Sequence, residues 1–159
     1  MSQIKRVFFG LPLAILLSLA IGPNHTAAAG PSGPGVQVTV KGSVDETVSQ
    51  IRKLVADSGM MIMGELHQGK VIGMTGLKLQ SETVFVGSPT IGKELFAAQP
   101  GVGLVVPIRI NVYASAQGHT VVSYVKPSQE LAGFGDEKVN HVAAMLDESF
   151  AKMVGMLAK

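Results

Sequence analysis

The sequence predicts an α+β fold in the order β-α-β(4)-α, a mainly antiparallel five-stranded sheet carrying two helices on one face. Three observations predict it. Two long stretches, near 44–59 and 139–157, repeat apolar residues every three or four positions, the spacing of a helix with one buried side. Shorter stretches alternate apolar and polar residues, which is the spacing of strands. Four of these strands follow one another with no long helix between them, and such a run closes as an antiparallel meander with its helices on one side.

The chain has 159 residues, and its first 29 read as a secretion signal: Lys5 and Arg6, an apolar run from Val7 to Gly22, then Ala27, Ala28 and Ala29 before Gly30. The alternative is a retained membrane anchor, against which stand Pro12 and a run shorter than the ~20 apolar residues that span a bilayer. Either way the remainder is expected in the periplasm or secreted. Lys5 and Arg6 are two of the 13 basic residues, so past the leader 11 basic residues face 11 acidic ones. A neutral domain is not expected to bind nucleic acid or, once the leader is cleaved, a membrane. There is no cysteine, which excludes disulfides, lipid attachment through sulfur, thiolate metal sites and thiol catalysis.

Residues 30–35, GPSGPG, form a flexible lead-in, and one domain is expected over 36–159. Val36, Val38 and Val40 alternate with Gln37, Thr39 and Lys41 as a first strand. Ser43 and Glu46 form a capping box, Val44, Val48, Ile51 and Val55 share one helix face, and Gly59 ends the helix. Met60 to His67 is extended, with Met61, Met63, Glu65 and His67 expected on one face and Ile62, Gly64 and Leu66 on the other. Gln68 to Glu82 is a loop with at most one short helical turn. Thr83 to Val86 is a strand, Lys93 to Ala98 a short helix, and Pro100 to Gly103 a turn. Ile108, Ile110 and Val112 alternate with Arg109, Asn111 and Tyr113; a turn at Ala116 to His119 then leads to a strand with Thr120, Val122, Tyr124 and Lys126 on one face. After a loop from Pro127 to Gly135, the closing helix presents Val139, Val142, Ala143, Leu146, Phe150, Met153 and Leu157 to the sheet.

Few motifs carry chemistry. Gly87 to Lys93 spells G-x-x-x-x-G-K, but Glu94 stands where a phosphate loop needs a hydroxyl, and Pro89 removes a backbone donor. Gly87 and Pro89 read instead as a sharp exit from a strand. Met61, Met63 and His67 raise a Cu(I) site, since thioether and imidazole suit that ion; the competing reading is methionine as adaptable core filling. A ligand site is expected where His67, Ser88, Lys93 and Tyr124 converge at the end and open face of the sheet. For each residue the plain alternative is structural: a strand end, a turn, solvated surface and a core ring. No Ser-His-Asp order, carboxylate pair or metal spacing unites them, so no catalytic residue is assigned and no cofactor is expected.

VFVGSPTIGKELF from Val84, then LVVPIRINVY and TVVSYVKPS, resemble the family known as domain of unknown function 302. GKVIGMTGLKL and AAMLDESFAKMVGML resemble one exported branch of it. The resemblance spans the chain from about Val36 onward and implies a β-α-β(4)-α fold similar to half of the TATA-binding protein, with a tendency to dimerise. It implies no activity. Many members read Gly-Asn-Pro where this chain has Gly87-Ser88-Pro89, and Asp-His where it has Leu66-His67, so the carboxylate that would orient His67 is missing at residue 66. The expected function is a non-catalytic small-ligand binding or sensing module. The alternatives are a homodimeric interaction protein, or a copper binder or enzyme using His67.

Overall fold

The computed structural model describes residues 35–158; the segment expected to be a secretion signal, nearly all of the glycine-proline lead-in and Lys159 lie outside them. Strand β1 (Val36–Val40) opens the domain and helix α1 (Val44–Asp57) follows. The capping box forms as read: Ser43 N donates to Glu46 Oε2 at 2.8 Å and Glu46 N donates to Ser43 Oγ at 3.2 Å. Helix α1 stops where Gly59 takes φ +71°, a value that glycine adopts without a Cβ penalty. Then come β2 (Met61–Leu66), α2 (Gln68–Gly73), β3 (Ser81–Gly87), α3 (Pro89–Ala98), a 3-10 turn (Pro100–Leu104), β4 (Ile108–Ala114), β5 (Thr120–Tyr124), α4 (Pro127–Leu131) and α5 (Glu137–Leu157).

The five strands lie in the order β1-β5-β4-β3-β2, and every neighbouring pair is antiparallel. This is the predicted α+β sheet. Helix α1 carries the chain from one edge strand, β1, to the other, β2. Residues directly opposite in an antiparallel ladder share a face. Val84, Val86, Ile108, Ile110, Val112 and Val122 form the helix-facing side, all at 2% exposure or less. Onto them pack Val48, Ile51 and Val55 of α1 and Leu146, Phe150 and Met153 of α5. The opposite side is polar: Ser81 and Thr83 hydroxyls donate to Asn111 Oδ1 at 3.1 and 3.3 Å, and Tyr113 bonds Gln37 at 3.2 Å. No helix among the described residues is long and apolar enough to cross a membrane.

Three expectations change. The Gly87-Ser88-Pro89 segment is not only a turn: Pro89 is the first residue of α3, where its missing N–H has no helical partner to lose and its fixed φ suits the helix. Two expected loops hold helices: the 68–82 loop contains α2, none of whose residues is buried, and the 127–135 loop contains α4 followed by a 3-10 turn at Ala132–Phe134. The single-face reading of Met61, Met63, Glu65 and His67 fails at a bulge. Ile62 opposes Val86 while Gly64 opposes Phe85, so two residues of the same parity in β2 lie on opposite faces. From Gly64 onward the faces are exchanged, and Glu65 opposes Val84 on the helix side.

Candidate functional site

Where β3 runs into α3, Gly87 passes close under Met63 and Pro107; a Cβ there would sit 3.1 Å from Met63 Cγ. Behind this crossing is a cleft of about 240 Å3, floored by Val86 and Ile108 of the sheet, walled by Ile91, Leu95 and Phe96 of α3, and closed by Met60, Met63 and Leu146. None of its thirteen lining residues is charged, and the only polar side chain is Ser88, the residue that caps α3. The Ser88 side chain makes no capping bond, and Gly92 leaves open space where a side chain would stand.

A second constellation lies where α1 meets edge strand β2. Arg52 forks onto Glu65, Nε to Oε1 at 2.6 Å and Nη2 to Oε2 at 2.8 Å, and Nη2 also reaches Glu82 Oε1 at 3.3 Å. His67 Nδ1 is 3.2 Å from Glu82 Oε2. The Arg52 guanidinium, through its hydrogen bonds, holds Glu65 below the usual carboxylate range, and Glu65 raises Arg52. Glu82, at 8% exposure, is the buried member. The carboxylate missing from residue 66 is therefore replaced from another strand, and the imidazole has an acidic partner after all.

The four predicted ligand residues do not converge. Ser88 lines the apolar cleft, whereas His67 borders a separate cavity of about 250 Å3 with Ser43, Asp45 and Glu82. The reason is the register: Leu66 opposes Thr83 and Met61 opposes Gly87, so His67 and Ser88 follow opposite ends of the β2–β3 pair. Those ends are about 20 Å apart at ~3.3 Å per residue. Lys93 lies in a groove between α3 and α5 with Glu94, Glu137 and His141. Tyr124 faces the helices at 4% exposure, its ring 5.5 Å from that of Phe150. The same strand length separates Met61 from His67, so those two with Met63 cannot surround one copper ion.

Sequence reasoning missed Glu82 and Arg52. A signal for Glu82 existed: it alternates with Val84 and Val86, which places a carboxylate on the apolar face once the strand is begun two residues earlier. Arg52 had none, because its partners lie 13 and 30 residues away.

A family model described as Domain of unknown function DUF302 matches residues 36–159. The fold is similar to the crystal structure of an uncharacterized conserved protein DUF302 from Bacillus stearothermophilus, with a TM-score of 0.72 and 17% identity, covering 77% of this chain and 96% of that one. No curated protein matches the chain.

Proposed function

We propose that this chain, which belongs to the Domain of unknown function DUF302 family, is an exported small-ligand binding or sensing module whose ligand enters the cleft beside the Gly87-Ser88-Pro89 turn. One observation carries the reading. The cleft is bounded by strands and helices of the core, holds no charge, and offers a single hydroxyl, Ser88, to orient a guest. Such a lining favours a small, uncharged, largely apolar molecule, because an ionised one would lose its hydration with no countercharge in reach. Export rests on the leader at Lys5 to Ala29.

The test is fluorescence titration with N-phenyl-1-naphthylamine, a neutral probe that brightens in apolar surroundings. We expect saturable brightening with wild type. In Gly92→Leu, which places a bulky side chain on a lining residue of the cleft where an added Cβ would meet nothing within 4 Å, we expect at least about a tenfold loss of affinity. Gly92→Ala serves as the control for the helix: it should bind the probe and gain roughly 0.5–1 kcal/mol of stability. Equal binding by wild type and Gly92→Leu would rule the cleft out.

A homodimeric reading is favoured by a different observation. Among the described residues, eight of the twelve exposed large apolar side chains, Leu66, Val71, Ile72, Met74 and Leu77 included, lie within residues 61–79, on an edge strand, a helix with no buried residue and the loop that follows it. Light scattering across a concentration series is expected to report a dimer that Met74→Lys weakens. A strictly monomeric species at the highest concentration eliminates this reading.

A further inference from the structure

Glu65, His67 and Glu82 bring one ligand atom each to within 4.8 Å of one another. The two carboxylates come from adjacent strands on the helix side of the sheet, and His67 is the residue that follows β2. Charge at this place is unbalanced. Two carboxylates share one permanent cation, and Arg52 commits its fork to Glu65 while touching Glu82 through a single longer contact. Among the described residues no lysine pairs with either acid. Glu82 is 8% exposed, so water does little to relieve its charge.

We propose that Glu82, His67 and Glu65 form a binding site for a divalent cation of borderline hardness, with Zn2+ as its reference ion, and that the metal and the Arg52 fork exclude one another. A buried carboxylate, a neutral imidazole and a second carboxylate are a nitrogen-oxygen set that suits Zn2+ and not Cu(I). Bonds of about 2.0–2.2 Å place ligand atoms roughly 3.5 Å apart. Reaching that from the present spacing takes rotations of about 1 Å, which the Glu65 and His67 side chains, 24% and 45% exposed, have room to make. Glu65 cannot hold both the fork and the ion. The Arg52 side chain, 42% exposed, turns out to solvent when the ion enters. The adjoining cavity of about 250 Å3 leaves the fourth position to water. This site lies at the opposite end of β2 from the apolar cleft, and the two stand or fall separately.

The experiment is calorimetric titration of the full chain with Zn2+, repeated by Co2+ absorption, in wild type, His67→Ala and Arg52→Gln. The expected results are one ion per wild-type chain, an affinity lower by about tenfold or more in His67→Ala, a higher affinity in Arg52→Gln, and Co2+ bands of a four- or five-coordinate site that His67→Ala removes. Circular dichroism of each variant separates lost binding from lost fold. The proposal is overturned by an absence of saturable Zn2+ binding in wild type, by unchanged affinity in His67→Ala, or by weaker binding in Arg52→Gln.

Discussion

Replacing Phe150 by alanine is expected to cost about 3–5 kcal/mol, the largest loss from any single truncation to alanine in this domain. Phe150 is fully buried, heads the buried side chains of the described residues by volume, and stands in the second half of α5. Its ring meets that of Tyr124 at 45°, so the substitution removes an aromatic pair as well as apolar area. Collapse around the hole is restricted, because the sheet residues beneath it are held in ladder register by both neighbours. Domains of this size carry only about 5–15 kcal/mol in total, so a large share of the stability rests on one ring. Urea unfolding should report the loss as a lower midpoint with unchanged slope. Leu104→Ala is the matched contrast: Leu104 is 92% exposed, and its removal should change stability by no more than about 0.5 kcal/mol. A loss below about 2 kcal/mol for Phe150→Ala would mean that α5 does not seat on the sheet as described.

The parts of the fold that were legible in the sequence are those written in local spacing. Helix α5 repeats its apolar residues over 21 positions, and the cap of α1 needs only Ser43 and Glu46, three residues apart. What escaped is decided between strands. The β2 bulge is a count of two residues against one, and the second strand needed for that count is β3, about twenty residues on. Helix α2 buries nothing, so no apolar stripe announces it. Tyr124 is instructive because its parity with Val122 was readable, and Val122 belongs to the core; the alternation put the ring among the helices, and only the expectation of a site on the open face argued otherwise.

The candidate sites divide along the same line. The apolar cleft is built around a contiguous motif, Gly87-Ser88-Pro89, so one of its residues could be named in advance. The charged cluster has members at 52, 65, 67 and 82, brought together by a crossover helix and a strand register. Nothing in the chain near His67 predicts Glu82 as its partner. The sequence even pointed away, since the neighbouring Leu66 has no carboxylate to offer.

Removing the guanidinium with Arg52→Ala should cost the metal-free protein about 1–3 kcal/mol, more than an exposed ion pair is worth and less than a fully buried one. The Arg52 side chain is 42% exposed, which alone suggests a contribution under about 1 kcal/mol. The partner decides otherwise. Glu82 has 10% of its side chain exposed and would keep only His67, which neutralises it when protonated. The acid limb of the stability curve supplies an independent readout. Glu65 is held below its ordinary value of 4.5, first by the Arg52 hydrogen bonds, so it contributes stability above that pH and loses it as pH falls toward the lowered value. In Arg52→Ala that part of the limb should flatten, because the main cause that favours ionised Glu65 in the folded chain is then gone and only the smaller attraction of His67 is left. Replacing Glu65 by glutamine as well should cost little further, since its partner is already gone, and the double-mutant cycle should return a coupling of opposite sign to the two single losses. If instead Arg52→Ala changes stability by less than about 0.5 kcal/mol and leaves the acid limb as it was, the fork is a surface contact on which the cluster does not depend. The same variant then connects stability to binding: with its competitor removed, Zn2+ should restore the lost stability, and it should do so only while His67 is present.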